Sequence, residues 1–483
     1  MRCVGLPPAA ARGGAPPAAG TDAPHPSPPG RHSAHRPSAT ARAAPPSLVE
    51  DAWIRGTLDA ASAPAPPQLA GLRGACRSAL ATVRMPTTRQ EAWRFTDVAP
   101  LLAAPLAAAP ASAALAARTL ADHALAGAAA TVVLVDGVHR PELSSAAGLP
   151  AGAFVGALDA APPAAASALG ALAAPRGGPF ATLNGAVATS AVAIVLGDGV
   201  RVEGPIHVLH VSSAAAAAAP TLAAPRLVIM LGPGAAAAGV EEWAGEAAGP
   251  ACVAAVAEAS LAEKASLAHA VVALGRPGSN LIKATFVEQA EASTYALVEA
   301  RTGGALTRHD VDVAQAGPST HTTMRHFLLG GDAELHDLHT ALRLEHPDGD
   351  AAQLHKCIAA SPTSRLVFDG GVSVARAAQR TDAAQLSRNL LLVKRASVSV
   401  KPNLAIVADD VKCTHGCAVS DLEEEALFYF LARGVDAATA RRVLVDSFGS
   451  EVVAGLPGAD LRARVAAATA AALAGVRLDV GEA

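Results

Sequence analysis

The chain has 483 residues, with 38 basic and 42 acidic side chains and a formal net charge of -4. That balance argues against recognition of nucleic acid or an anionic membrane through bulk charge, which needs a positive excess. No apolar stretch carries enough bulky residues to span a bilayer. Six cysteines (Cys3, Cys76, Cys252, Cys357, Cys413 and Cys417) in so long a chain do not read as a disulfide framework.

Residues 1–47 hold five arginines (Arg2, Arg12, Arg31, Arg36 and Arg42) and one acid, Asp22, among proline, alanine, serine and glycine. Such a segment buries too little apolar surface to fold and has the composition of an organellar transit peptide. Its proline density disfavours a long amphipathic presequence helix, which points to a plastid rather than a mitochondrion. Residues 48–130 read as an N-terminal helical region, Ala/Leu-rich and punctuated by proline. Within it, Glu91-Ala-Trp-Arg-Phe-Thr-Asp97 carries two of the few aromatics, expected to anchor this region on the next domain.

From residue 131 to 419 short runs of Val, Ile and Leu recur, as in Thr131–Val135, Val192–Leu196, Ile206–Val211, Arg226–Leu231 and Leu390–Val393. Turn signals such as Gly197-Asp-Gly199 and Asp369-Gly-Gly371 separate them. The runs read as strands of about five residues without helical crossovers, which excludes a doubly wound sheet. A sandwich or barrel lacks its Asn-Gly hairpin signals here, so a parallel β-helix is preferred. The fold class is therefore mainly β, flanked by helical regions.

Residues 420–483 read as helical. Ser420-Asp-Leu-Glu423 has the form of a capping box for a helix ending at Gly434, Asp436 caps a second helix through Val453, and a third runs from about Asp460 to Ala474. The apolar positions Val443, Leu444, Phe448, Val452 and Val453 of the second fall largely on one stripe.

No phosphate-binding glycine loop, Gly-x-Ser-x-Gly elbow or His-Glu-x-x-His helix occurs. Seven histidines lie between residues 309 and 355: His309, His321, His326, His336, His339, His346 and His355. They read as solvated or hydrogen-bonded strand-face side chains, with transient metal contact as the alternative. In Asp409-Asp-Val-Lys-Cys-Thr-His-Gly-Cys417, an extended backbone turns Cys413, His415 and Cys417 to one face. Cys413 and Cys417 would then lie roughly 13 Å apart at about 3.3 Å per residue, too far for one metal with about 2.3 Å bonds to sulfur. A closed site from these three fails unless Gly416 folds the chain back; a single ligand to a site shared with another chain survives, as does a packed Cys beside a core-edge His.

From Arg89 to Val453 the chain resembles the SufD family of the SUF iron–sulfur cluster assembly machinery, in its plastid form. The resemblance rests on Glu91–Asp97, Phe180-Ala-Thr-Leu-Asn184, Gly204–Ser212, Pro225–Ile229, Ser387–Leu392, Lys401-Pro-Asn-Leu404, Ala408–Gly416, Leu427-Phe-Tyr429 and Ala432-Arg-Gly434. It implies a right-handed parallel β-helix and a non-catalytic scaffold that pairs with a SufB-like subunit. It also implies a C-terminal region, 420–483, that docks a SufC-like ATPase. His415 is then a metal ligand or proton-transfer group at the shared cluster-assembly interface, with Cys413 and Cys417 beside it. No cluster is expected to be held stably by this chain alone, only a transient iron–sulfur cluster or iron at the SufB interface. Cys417 departs from the Ala-Thr that many bacterial members carry after His-Gly. A cysteine is absent from Asn389–Lys401, roughly where SufB carries its essential one. Two other readings are a SufB-like subunit that holds a cluster itself and a carbohydrate-active β-helix enzyme; the latter needs clustered acids in a groove and usually a secretory signal.

Overall fold

The computed structural model describes residues 51–474 and 476, except 65, 110–112, 214–219, 246–250 and 276–277. The expected transit segment, 1–47, lies outside the described residues. Two sheets of parallel strands form a solenoid of about seven turns. One sheet runs Val192–Leu196, Arg226–Leu231, Ala251–Leu261, Asn280–Gln289, Leu306–Gln315, Leu335–Leu344, Arg365–Val374 and Ser397–Ile406. The other runs Ala130–Val135, Arg201–Ser212, Ala236–Gly245, Ser266–Leu274, Thr294–Thr302, His321–Gly330, Asp350–Ala359, Thr381–Leu391 and Val411–Ser420. We call them the first and second sheets. The chain alternates between them, so every neighbour in a sheet is one full turn away in sequence.

Most solenoid strands are about ten residues long, twice the length their apolar cores suggest, because polar residues continue the pairing beyond each Val/Ile/Leu run. One corner of each turn is stabilised by a repeated bond. Lys264, Ala292, Ser319, Asp348 and Arg380 all adopt a left-handed backbone, and each donates its N–H to a carbonyl of the next turn: Glu291, Pro318, Pro347, Gln379 and Asp410. A left-handed non-glycine residue costs about 1–2 kcal/mol, which this ladder of otherwise unmade bonds offsets. The first rungs of the ladder use glycine, at Gly199 and Gly234; from Lys264 onward the position is not glycine, which is why the later turns carry no recurrent turn signal in sequence.

The span 131–191 is not regular solenoid. Helices Pro163–Ala168, Ala173–Arg176 and Pro179–Val187 interrupt it, each short and opening on proline or an alanine run with no clear 3.6-residue apolar period. They cover the first sheet through Glu258, whose buried carboxylate accepts from the N–H groups of Gly170, Leu172 and Ala173 and from Arg226. The N-terminal helices Ala52–Ala60 and Pro67–Leu80 pack outside Pro179–Val187. Trp93 of the Glu91–Asp97 segment is buried and lies 3.8 Å beneath the Arg308 guanidinium, while Thr96 donates to Asp337 at 2.5 Å. The expected anchoring role falls to Trp93; Phe95 is half exposed.

The first C-terminal helix corrects the capping-box reading. Ser420 remains on the last strand, paired with Leu390, and the helix begins at Glu424 after a Glu423 cap with no side-chain bond. Ten consecutive strand pairs outweigh one capping interaction here. Asp436 does cap Ala437–Val453, accepting from the Thr439 N–H at 2.9 Å. That helix buries Ala440, Val445, Gly449 and Val452 against the second sheet, whereas Val443 stays exposed. Gly449 permits the contact, since a Cβ there would lie 2.5 Å from the Phe327 ring. Lys356 bonds the Phe448 carbonyl and Glu451, and Arg464 of Ala459–Leu473 bonds Glu242. Among the described residues no helix is long and apolar enough to cross a membrane.

Candidate functional site at the open end of the solenoid

The two ends of the solenoid are built differently. At the start, Ala153–Ala157 and Val138–His139 pair antiparallel with Val192–Leu196 and Ala130–Val135, closing both sheets. At the finish, Ser397–Ile406 and Val411–Ser420 have no described strand on their outer edges. Their residues are half buried or exposed, and Ile406, Val407 and Val419 show 43%, 54% and 45% of their surface. Unpaired N–H and C=O groups beside exposed apolar side chains form a template for another sheet.

Cys413, His415 and Cys417 all lie on that last strand. They pair in register with Ala383, Gln385 and Ser387, and the register is unbroken from Val411 to Ser420. Gly416 therefore does not fold the strand back, and the extended spacing keeps the two thiols from sharing one metal. Cys413 packs against the solenoid core, so by alternation all three side chains sit on the inward face of the strand, where the core opens to solvent. Burial raises both thiols above their ordinary value, with Asp382 adding to the effect at Cys413. His415 lines an open groove of about 660 Å³ together with Arg343, Ser373, Asn403 and Leu404 of the first sheet. No group of three or more metal-ligating side chains occurs among the described residues.

Most of the histidine-rich stretch resolves into hydrogen-bonded side chains. His309 and His326 flank Glu299 at 2.8 Å each, His336 bonds Thr307 and Glu334, and His355 bonds the Ser387 hydroxyl at 3.0 Å. His321 pairs with Asp350 and His339 with Asp337 on outer faces, and His346 is exposed. The structure does not bring the seven together.

Sequence reasoning missed the polar interior behind the open end. Glu241 is buried with Lys283 at 2.7 Å and His269 at 3.0 Å, and Glu299 is buried beside Arg301 at 3.0 Å. Burial would raise both carboxyls, but Lys283 and Arg301 respectively, with the histidines, hold them well below the usual range. Toward the open end, His355, Ser387, Asn389 and Cys357 form a bonded group, and Ser387 is the register partner of Cys417. A second row runs from Thr340 through Gln353 to Gln385. Its sequence signal is a polar residue recurring at one strand phase about every 30 positions, as in His326, His355, Ser387 and Cys417.

Residues 211–448 match the family described as SUF system FeS cluster assembly, SufBD core domain. The chain is 43% identical over 287 residues to the chloroplastic protein ABCI7 of Arabidopsis thaliana, covering 59% of this chain and 60% of that one. It is 29% identical over 430 residues to an iron-sulfur cluster assembly SufBD family protein of Synechocystis, covering 86% and 92%. Against the iron-sulfur cluster assembly protein SufD of Escherichia coli it is 33% identical over 210 residues, covering 43% and 49%. The chain thus spans about three fifths of the Arabidopsis relative and half of the Escherichia coli one. The region matched to the family contains the solenoid turns that end at the Cys413–Cys417 strand; residues 211–448 are a SufBD core domain, and the similarity to proteins named SufD and ABCI7 supports a SufD-type iron–sulfur assembly subunit.

Proposed function

We propose that this chain is a non-catalytic scaffold subunit of a SufB–SufC–SufD complex in the plastid stroma. The observation that carries the proposal is the open end of the solenoid, which puts His415, Cys413 and Cys417 on an unpaired edge strand. A SufB-like solenoid adds its own strands to this edge, and the nascent cluster forms where the two meet. His415 supplies one nitrogen ligand or a proton-transfer group, and the partner supplies the remaining ligands, since the spacing on one extended strand denies a closed site to this chain alone. The iron–sulfur cluster is cargo at this interface.

The C-terminal helices serve as the dock for a SufC-like ATPase. Glu424–Leu431 has no buried residue and presents Phe428 and Tyr429, 70% and 55% exposed, beyond helices that are pinned to the second sheet. Aromatic side chains at this exposure are suited to a hydrophobic docking pocket. The chloroplastic name of the Arabidopsis relative and the arginine-rich start favour the plastid.

Co-expression with SufB-like and SufC-like partners tests the reading. Size exclusion is expected to give one complex for both wild type and His415→Ala, with cluster absorbance lost in the variant. Failure of the wild-type chain to join the complex would contradict the scaffold role, and normal cluster formation in His415→Ala would remove His415 from the chemistry.

A further inference from the structure

Glutamine is an uncommon choice inside a solenoid core, where an amide must find partners for two donors and an oxygen. Two occur on neighbouring strands of the second sheet. Gln353 and Gln385 are in register and 4% and 3% exposed. Gln353 Nε2 donates to Thr340 Oγ1 of the first sheet at 2.9 Å, and Gln353 Oε1 accepts from Gln385 Nε2 at 2.9 Å. The amides thus form a directed row across the core and up the sheet. Its final acceptor, Gln385 Oε1, is buried and has no hydrogen-bond partner among the described residues.

The next position in that row is His415, the register partner of Gln385. The Gln385 amide is also held from the opposite sheet. Gly370 lies so close that a Cβ there would collide with Gln385 Nε2 and with Phe368. Nε2 is committed to Gln353, so the oxygen is the atom left to meet the last strand. Neighbouring strands are about 4.8 Å apart, within reach of an imidazole N–H turned toward that oxygen. A histidine that ligates a metal usually donates its other ring N–H to such an acceptor, which selects the tautomer and aims the free nitrogen.

We propose that Gln385 is the positioning residue for His415: its amide oxygen accepts one ring N–H and leaves the other nitrogen directed into the open-end groove. This rests on the role given to His415 above. Thr340, Gln353 and Gly370 fix the amide, so the orientation is set by the core before any partner arrives. Gln385 acts through His415 and does not itself contact iron or sulfide.

The test uses the full chain with ¹⁵N-labelled histidine and long-range proton–nitrogen correlation, the His415 signals being those lost in His415→Ala. Wild type is expected to show His415 in a single tautomer, Gln385→Leu a mixture, and Gln385→Glu, which retains an acceptor, the single tautomer again. In the complex with SufB-like and SufC-like partners, Gln385→Leu is expected to slow cluster assembly about 10- to 100-fold, with Gln385→Glu recovering most of the loss. An unchanged tautomer ratio in Gln385→Leu would overturn the inference. So would a Gln385→Glu chain as impaired as Gln385→Leu, since that result means the amide presents its N–H₂ rather than its oxygen. If His415→Ala builds clusters normally, the functional reading fails instead, and the tautomer comparison still decides the role of Gln385.

Discussion

The start of the solenoid is closed and its finish is open, although both are ends of the same stack of turns. At the start, antiparallel strands consume the edge hydrogen bonds, and the cover of short helices over the first turns is bonded through Glu258, 2% exposed, and Arg226, 1% exposed. At the finish, two edge strands of ten residues each have no strand on their outer side among the described residues, and Ile406, Val407 and Val419 face solvent. Exposed edges invite pairing with other chains and are usually blunted. The open edge, with His415 and two thiols on it, is what the proposed pairing with a partner solenoid would use. Damage to the closed part should therefore appear as lost stability, and damage to the open end as lost association.

Acid should act most strongly on the buried interior of the solenoid. Burial first of all holds His210, His309, His336 and His355 below the ordinary imidazole value. The unfolded chain binds these protons near pH 6.5 and the folded chain does not. Their contribution is thus complete above about pH 6.5 and is lost as pH falls, by up to about 1.4 kcal/mol per pH unit for each histidine. Asp337 adds a lower window. Burial would raise it, but Arg308 with His339 and Thr96 brings it to about 2, so its contribution is lost between about pH 4 and 2. Denaturant melts from pH 7.5 to 5 should show a steady fall, and a flat profile would contradict the neutral state of these four histidines.

Glu258→Ala comes next. It leaves the Arg226 guanidinium without its carboxylate and removes the acceptor of three backbone N–H groups. The expected loss is about 3–5 kcal/mol, read as a lower denaturation midpoint. Gly449→Ala forces a methyl into the Phe327 ring, and overpacking of this kind costs about 1–3 kcal/mol. Protease sensitivity rising first in residues 437–473 would show the C-terminal helices lifting from the sheet. Val419→Lys lies at the other extreme. Its side chain is 45% exposed, so stability should change by no more than about 0.5 kcal/mol. Binding to the SufB-like partner, measured by size exclusion, should nonetheless be lost.

Much of this contrast was legible in sequence. The Val/Ile/Leu runs marked residues 131–419 as a strand-only region, which holds from 192 onward but not across the helices before it, and period-two alternation put Cys413, His415 and Cys417 on one face, as the register confirms. The helices between 163 and 187 were not legible, because alanine and proline carry little periodic signal. Ser420–Glu423 misled for a physical reason: a local cap competes poorly with a strand ladder formed with residues a whole turn earlier. The polar interior was hidden by turn lengths that vary around 30 residues, which blur any fixed repeat. Gln385 carries no signal of its own in sequence; its proposed role comes from the stacking of Gln353, Gln385 and His415.

The most direct test of the open end is backbone amide exchange across the whole chain, with and without the SufB-like partner. Protection is expected to concentrate in Ser397–Ile406 and Val411–Ser420, where edge groups gain strand partners. Protection confined to other regions, with these two strands exchanging as fast as in the free chain, would contradict the account.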